Sequence, residues 1–182
     1  MKDPVSRAGA LKGEIVAARP EMNSLRRLPD SLAAIFRDAQ FSRLCVPREQ
    51  GAVEAPPRLV VETLEALAEA DASAAWCVMI SATTGAFGAY LDSETASAIF
   101  QDPSLVFAGV YAPMGKATVE GDNYRVTGQW KWNSGGQNAT WLCGGCVIYE
   151  NGAPRMLTEK IPDHRMMLFP ASDVTFLDTW HT

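Results

Sequence analysis

Apolar residues in the first hundred positions recur at three- and four-residue intervals, the spacing of a helix face. The pattern predicts a helix over residues 5–19, ended by Pro20. Leu28-Pro29-Asp30-Ser31 marks a second start, after which Leu32, Ile35, Phe36 and Ala39 form one buried face. Residues 41–51 read as a loop with Pro47 and Gly51. Pro56-Pro57 opens a third helix, with Val60, Leu64 and Leu67 on its inner stripe and Glu62, Glu65 and Glu69 outside. Asp71 or Ser73 caps a fourth over 74–90, apolar nearly all round and so expected to be buried. Asp92 starts a short fifth, ending at Phe100.

The pattern changes at Asp102-Pro103. Short strand-like runs follow at 105–111, 117–120, 124–132, 140–149, 155–160, 165–169 and 174–179. Gly121-Asp122-Asn123 is a tight-turn sequence between the second and third. Helices first and strands second predict an α+β chain, divided into a helical domain over 1–102 and a β domain over 103–182. In the run 124–132, Tyr124, Val126, Trp130 and Trp132 fall on one face. It leads into Trp132-Asn133-Ser134-Gly135-Gly136, where small residues let backbone approach a flat ligand. If the strand stays regular, Trp132 and Ser134 share a face.

Charge and cysteine content narrow the function class. A net charge of -5, with Arg26-Arg27 the only adjacent basic pair, argues against nucleic acid as a partner. The longest apolar run, 74–91, is interrupted by Ser81, Thr83, Thr84, Gly85 and Gly88, so no membrane span is expected. No signal peptide is recognisable, and four cysteines in 182 residues do not make a disulfide scaffold; a cytoplasmic location is the expectation. Cys143-Gly-Gly-Cys146 reads as buried small residues in a strand, not as a metal or redox pair. His164 reads as a surface turn residue. No phosphate-binding glycine loop or nucleophile elbow is present.

Four segments resemble the acyl-CoA dehydrogenase-like flavoproteins, and within them the flavin-dependent monooxygenase (hydroxylase) branch. They are Arg26-Arg-Leu-Pro29 with Phe41 to Pro47 and Gly51; Leu67 to Trp76; Tyr124 to Gly136 with Ala139-Thr-Trp141; and Asp178-Thr-Trp180. Tyr111-Ala-Pro-Met-Gly-Lys-Ala117 stands where true acyl-CoA dehydrogenases carry an acidic, Gly-Ser-Asp-containing loop, which favours the hydroxylase branch. The resemblance implies an N-terminal helical domain followed by a mostly antiparallel β-barrel. A C-terminal four-helix bundle, which in the family completes the pocket and the tetramer and carries the catalytic base, is absent from these residues.

By resemblance, the whole protein is an oxidoreductase. It would use reduced FAD or FMN from a separate flavin reductase, take up oxygen, and hydroxylate an aromatic or heteroaromatic small molecule. An acyl-CoA dehydrogenase is the alternative enzyme, and a non-catalytic fragment or partner subunit the alternative outside enzymes. The resemblance places Tyr111, Met114, Gly115, Trp132, Asn133 and Ser134 at the flavin, Ser134 also as the catalytic hydroxyl, and Trp76 at the substrate. Trp130 is assigned to the core, Trp76 has buried packing as its alternative role, and His181 is left without a role.

Overall fold

A computed structural model describes residues 3–179; Trp180 and His181, named above, lie outside the described residues. The first helix is two. Asp3 caps α1 (Pro4–Ala10) by accepting from the Ser6 amide at 3.0 Å. The chain breaks at Leu11 and resumes as α2 (Lys12–Leu25). Pro20 sits inside α2 and does not end it. It lies on the exposed face, where the carbonyl that loses its partner is not buried in the core. Then follow α3 (Asp30–Asp38), α4 (Pro57–Ala68) and α5 (Ala72–Thr84), the last continuing as a 3-10 turn over Gly85–Tyr90, and α6 (Ser93–Phe100). Pro57 opens α4, and Asp71 caps α5 by accepting from the Ala74 amide at 2.9 Å.

The expected inner faces form the helical core. Leu32 and Phe36 of α3, Leu67 of α4, and Ala74, Ala75 and Val78 of α5 close over Ile15 and Phe41. Residues 72–90 are long and apolar enough to match a membrane span, more so than the interrupted run suggested. Here they behave as a core helix on one side only. A Cβ at Gly85 would lie 2.7 Å from Val46, and one at Gly88 3.0 Å from Phe100, so these glycines mark close packing. The opposite side is open: Trp76 is 55% exposed and Tyr90 84%, against the expectation of burial all round.

The strands form one open, mixed sheet of five, in the order β2-β1-β3-β4 with β5 also on β3. The runs expected at 105–111 and 117–120 are one strand, β1 (Phe107–Glu120), interrupted by a bulge. A two-residue turn at Gly121-Asp122 returns it as β2 (Asn123–Gly128). β2 stops at Gly128, short of the expected Trp132. β3 (Trp141–Glu150) pairs parallel with β1, and this central pairing departs from the expected mostly antiparallel barrel. A parallel neighbour follows because the chain crosses from the end of β2 back over the helices before entering β3. β4 is only Ala153–Pro154; the strand expected over 155–160 is reduced to an isolated bridge between Met156 and Pro162, and β5 (His164–Pro170) is antiparallel to β3. Residues 174–179 are not a strand. Phe107 of β1 packs on Phe100 at 5.2 Å between ring centroids, joining sheet to helices.

Candidate functional site

Trp130 sets the geometry of everything after β2. Cβ atoms at Gly115, Gly128 and Gly144 would lie 2.3, 2.8 and 2.5 Å from its indole, so three strands contribute a glycine to make its bed. Its Nε1–H donates to the Gly145 carbonyl at 2.9 Å, and its ring lies 5.5 Å from Phe169. The assignment of Trp130 to the core holds. The same packing ends β2, because the chain turns down at Trp130 instead of pairing onward. Gly115, expected at the flavin, therefore lies buried under this ring, away from the exposed surface of Trp132.

Past Trp130 the chain is a series of turns. Trp132 is in the left-handed region, φ 64, with its side 72% exposed, and so does not share a strand face with Ser134. A non-glycine residue held there, with a large ring turned outward, is the kind of strain found at functional sites. The Ser134 amide donates to the Trp132 carbonyl at 3.0 Å, the Gly136 amide to the Asn133 carbonyl at 3.1 Å, and the Asn138 amide to the Gly135 carbonyl at 3.1 Å. Gly135, φ 71, rests over Cys77 of α5. Asn133 folds back over Gly136, and its Oδ1 is buried with no hydrogen-bond partner among the described residues.

This places Ser134 beside α5. The Trp76 Nε1–H donates to Ser134 Oγ at 3.1 Å. An indole nitrogen only donates, so the serine oxygen is the acceptor and its own O–H remains to be given elsewhere. Two residues singled out for separate roles are thus one hydrogen-bonded pair, and Trp76 is half exposed, not a buried packing residue.

A second exposed element comes from β1. Between Val110 and Gly115 the pairing with β3 advances by five residues on β1 against two on β3, from Gly144 to Cys146. Residues 111–114 bulge out, and the carbonyls of Tyr111 and Ala112 lie 2.3 and 2.6 Å from where a Gly145 Cβ would be. Tyr111 and Met114 are 53% and 43% exposed. The Tyr111 ring packs 5.6 Å from Phe87, and burial pushes its phenol above its usual range, keeping it protonated at neutral pH. Met114 Sδ accepts from the Lys131 amide at 3.5 Å, tying the bulge to the Trp132 turn.

The cysteines stay out of this chemistry. Burial pushes the Cys143 thiol to about 12 and those of Cys77 and Cys146 to about 11, so none is a thiolate at neutral pH. No metal-binding cluster exists among the described residues. A cavity of about 400 Å³ lies elsewhere, lined by Gln40, Arg43, Gln50 and Gln101. Arg43 there donates to the carbonyls of Phe100, Asp102 and Gln50, a structural brace.

With this geometry in view, comparison with known proteins is informative. No protein-family model matches the chain. It is 30% identical over 158 residues to the flavin-dependent monooxygenase oxygenase subunit HsaA of Mycobacterium tuberculosis, covering 86% of this chain and 38% of that protein. The crystal structure of HsaA superposes with a TM-score of 0.88 at 28% identity, over 99% of this chain and 48% of that one. The oxygenase component of an FADH2-dependent resorcinol hydroxylase from Rhizobium sp. is 28% identical over 157 residues, 86% of this chain and 37% of that protein. XiaF from Streptomyces sp., solved with FADH2 and glycerol, matches with a TM-score of 0.88 at 25% identity, over 98% of this chain and 44% of that one. HsaA is the oxygenase subunit of a flavin-dependent monooxygenase, and the resorcinol protein is the oxygenase component of an FADH2-dependent hydroxylase. The chain spans less than half the length of each.

Sequence reasoning missed Gly145 and Asn138. The Gly144-Gly145 pair inside an apolar strand signals close backbone approach, but it read only as small residues between two cysteines. Asn138 carries no local signal, since its partners are more than a hundred residues away.

Proposed function

We propose that this chain is the N-terminal and middle part of the oxygenase component of a two-component, flavin-dependent monooxygenase. The reading places the chain in the acyl-CoA dehydrogenase-like superfamily, with helical and β domains dividing near residue 102. The observation that carries it is the Trp76–Ser134 pair beside the outward-turned Trp132, on a chain similar along nearly its whole length to oxygenases of this kind. A closed barrel belongs to the same reading; closing strands would add at the open edges of β2 and β5.

The residues present fit a reduced flavin, FAD or FMN. Trp132, Tyr111 and Met114 offer flat or soft apolar surface, and the buried, donor-less Oδ1 of Asn133 suits a ligand N–H. When bound, the reduced flavin would supply the two electrons that activate O2, one oxygen atom of which would go to the substrate and the other to water. Trp132 would cover the ring and exclude water. Ser134, its oxygen engaged by Trp76, would present its O–H to flavin or substrate as a donor. Trp76 would border an aromatic substrate. A flavin reductase as partner, a homotetrameric assembly and a cytoplasmic location complete the proposal.

The test is turnover. The full-length protein, supplied with reduced flavin by a separate reductase, should convert phenols to hydroxylated products with oxygen uptake. Oxidation of a CoA thioester without oxygen incorporation would replace this reading with the dehydrogenase one.

A further inference from the structure

The Ser134 turn is not part of the sheet, so something else must hold it against α5. Its first tie is the Trp76 indole. Its second lies at the other end of the turn. Asn138 Nδ2 donates to the Leu28 carbonyl at 3.3 Å and approaches Asp30 Oδ1 at 3.5 Å. Arg27 Nη1 reaches the same two acceptors, at 3.1 and 2.6 Å. Leu28 and Asp30 flank Pro29, which precedes α3, so this group of acceptors sits on a fixed helix start. Asn138 Oδ1 is buried without a donor, so the amide acts here only through Nδ2.

From this geometry we infer that Asn138 is a positioning residue: through its bonds to the start of α3 it fixes the turn that brings Ser134 to Trp76. Between Asn133 and Ala139 the backbone bonds run without a gap, from Asn133 to Gly136, Gly135 to Asn138, and Gly136 to Ala139. A turn braced in this way moves as one piece. Thr140 holds the chain just beyond the turn to Val106, so losing Asn138 loosens the turn itself between that tie and Trp76, and the 3.1 Å bond at Ser134 lengthens or breaks. Holding one reacting group by an anchor that touches neither flavin nor substrate is how a site keeps a productive geometry.

The inference rests on reading Ser134 as the hydroxyl of the site, but its test needs no flavin. The indole N–H resonances of the 182-residue chain are recorded by nitrogen-15 NMR, with Trp76 and Trp130 assigned by substitution. Ser134→Ala gives the position of an unbonded Trp76 indole. We expect Asn138→Ala to move the Trp76 signal toward that position and leave Trp130 in place. Asn138→Asp should do the same, since a carboxylate cannot donate and faces Asp30. Adding Asp30→Asn to Asn138→Asp restores the contact at position 30 with the roles exchanged but not the bond to the Leu28 carbonyl, and should return the Trp76 signal part of the way. Asn138→Ser is the milder variant if circular dichroism shows unfolding. An unmoved Trp76 signal in folded Asn138→Ala, or equal movement of Trp130, overturns the inference. Failure of the chain to bind reduced flavin, with the Trp76 signal behaving as expected, would count against the proposed function and not against this role.

Discussion

The indole nitrogen of Trp76 and the hydroxyl of Ser134 stand 3.1 Å apart, joining α5 to the turn beyond β2 across 58 positions of sequence. The bond turns the serine proton away from the indole. If the full-length protein is the proposed oxygenase, Ser134→Ala should lower its kcat about a hundredfold, the scale seen when one preorganised donor is removed. Trp76→Phe keeps the hydroxyl but frees it to rotate, and should cost less. Steady-state kinetics at saturating reduced flavin measure both; a Ser134→Ala enzyme within about twofold of the parent would remove the serine from the chemistry.

Trp132 should separate stability from function. Its backbone is left-handed and its ring is 72% exposed. Trp132→Gly relieves the backbone strain, so thermal stability should hold or rise by up to about 1 kcal/mol. Binding of reduced flavin should weaken in the same variant. A clear loss of stability would mean that the ring serves the fold.

A glycine under Trp130 and one in α2 predict opposite outcomes for one chemical change. Gly144→Ala places a methyl 2.5 Å from the indole and should destabilise by about 1–3 kcal/mol. Gly13→Ala, inside α2 with nothing within 4 Å, should stabilise by about 0.5–1 kcal/mol. Denaturant midpoints at constant m distinguish them.

Asp163 ties the β4–β5 region. Burial pushes its carboxyl up, but the hydrogen bond from Arg155 and the charges of Arg165 and Arg155 outweigh this and hold it below its usual 3.8. A depressed folded value contributes stability that is complete above the unfolded value and is lost as pH falls through the folded one. The contribution should therefore be present at pH 7 and decline below about pH 4. Asp163→Asn should cost about 1–3 kcal/mol at pH 7 and much less at pH 2, read from urea unfolding at both values.

Much of this was legible in the sequence because it is local. The caps at Asp71 and Asp92, Pro57 at a helix start, and the Gly121-Asp122 hairpin follow from residues within four positions of each other. What was not legible depends on distant packing. A Trp-x-Trp alternation looks like a continuing strand, yet Trp130 finds a bed of glycines from three strands and its neighbour Trp132 is thrown outward. The bulge at 111–114 needs Gly145, some thirty positions on, to make room, so it reads locally as two strands and a loop. Pro20 read as a helix end because the breaking rule takes no account of which face the proline occupies. Trp76 and Ser134 were both named as site residues, but only the fold shows that they touch.

We propose that Trp132, Ser134 and the 111–114 bulge face a reduced flavin. Anaerobic titration of the folded chain with reduced FAD and reduced FMN tests it most directly. At least one should bind saturably, weakened about tenfold or more by Trp132→Ala and by Ser134→Ala and unchanged by Gly13→Ala. Saturable binding that neither site substitution alters would contradict it.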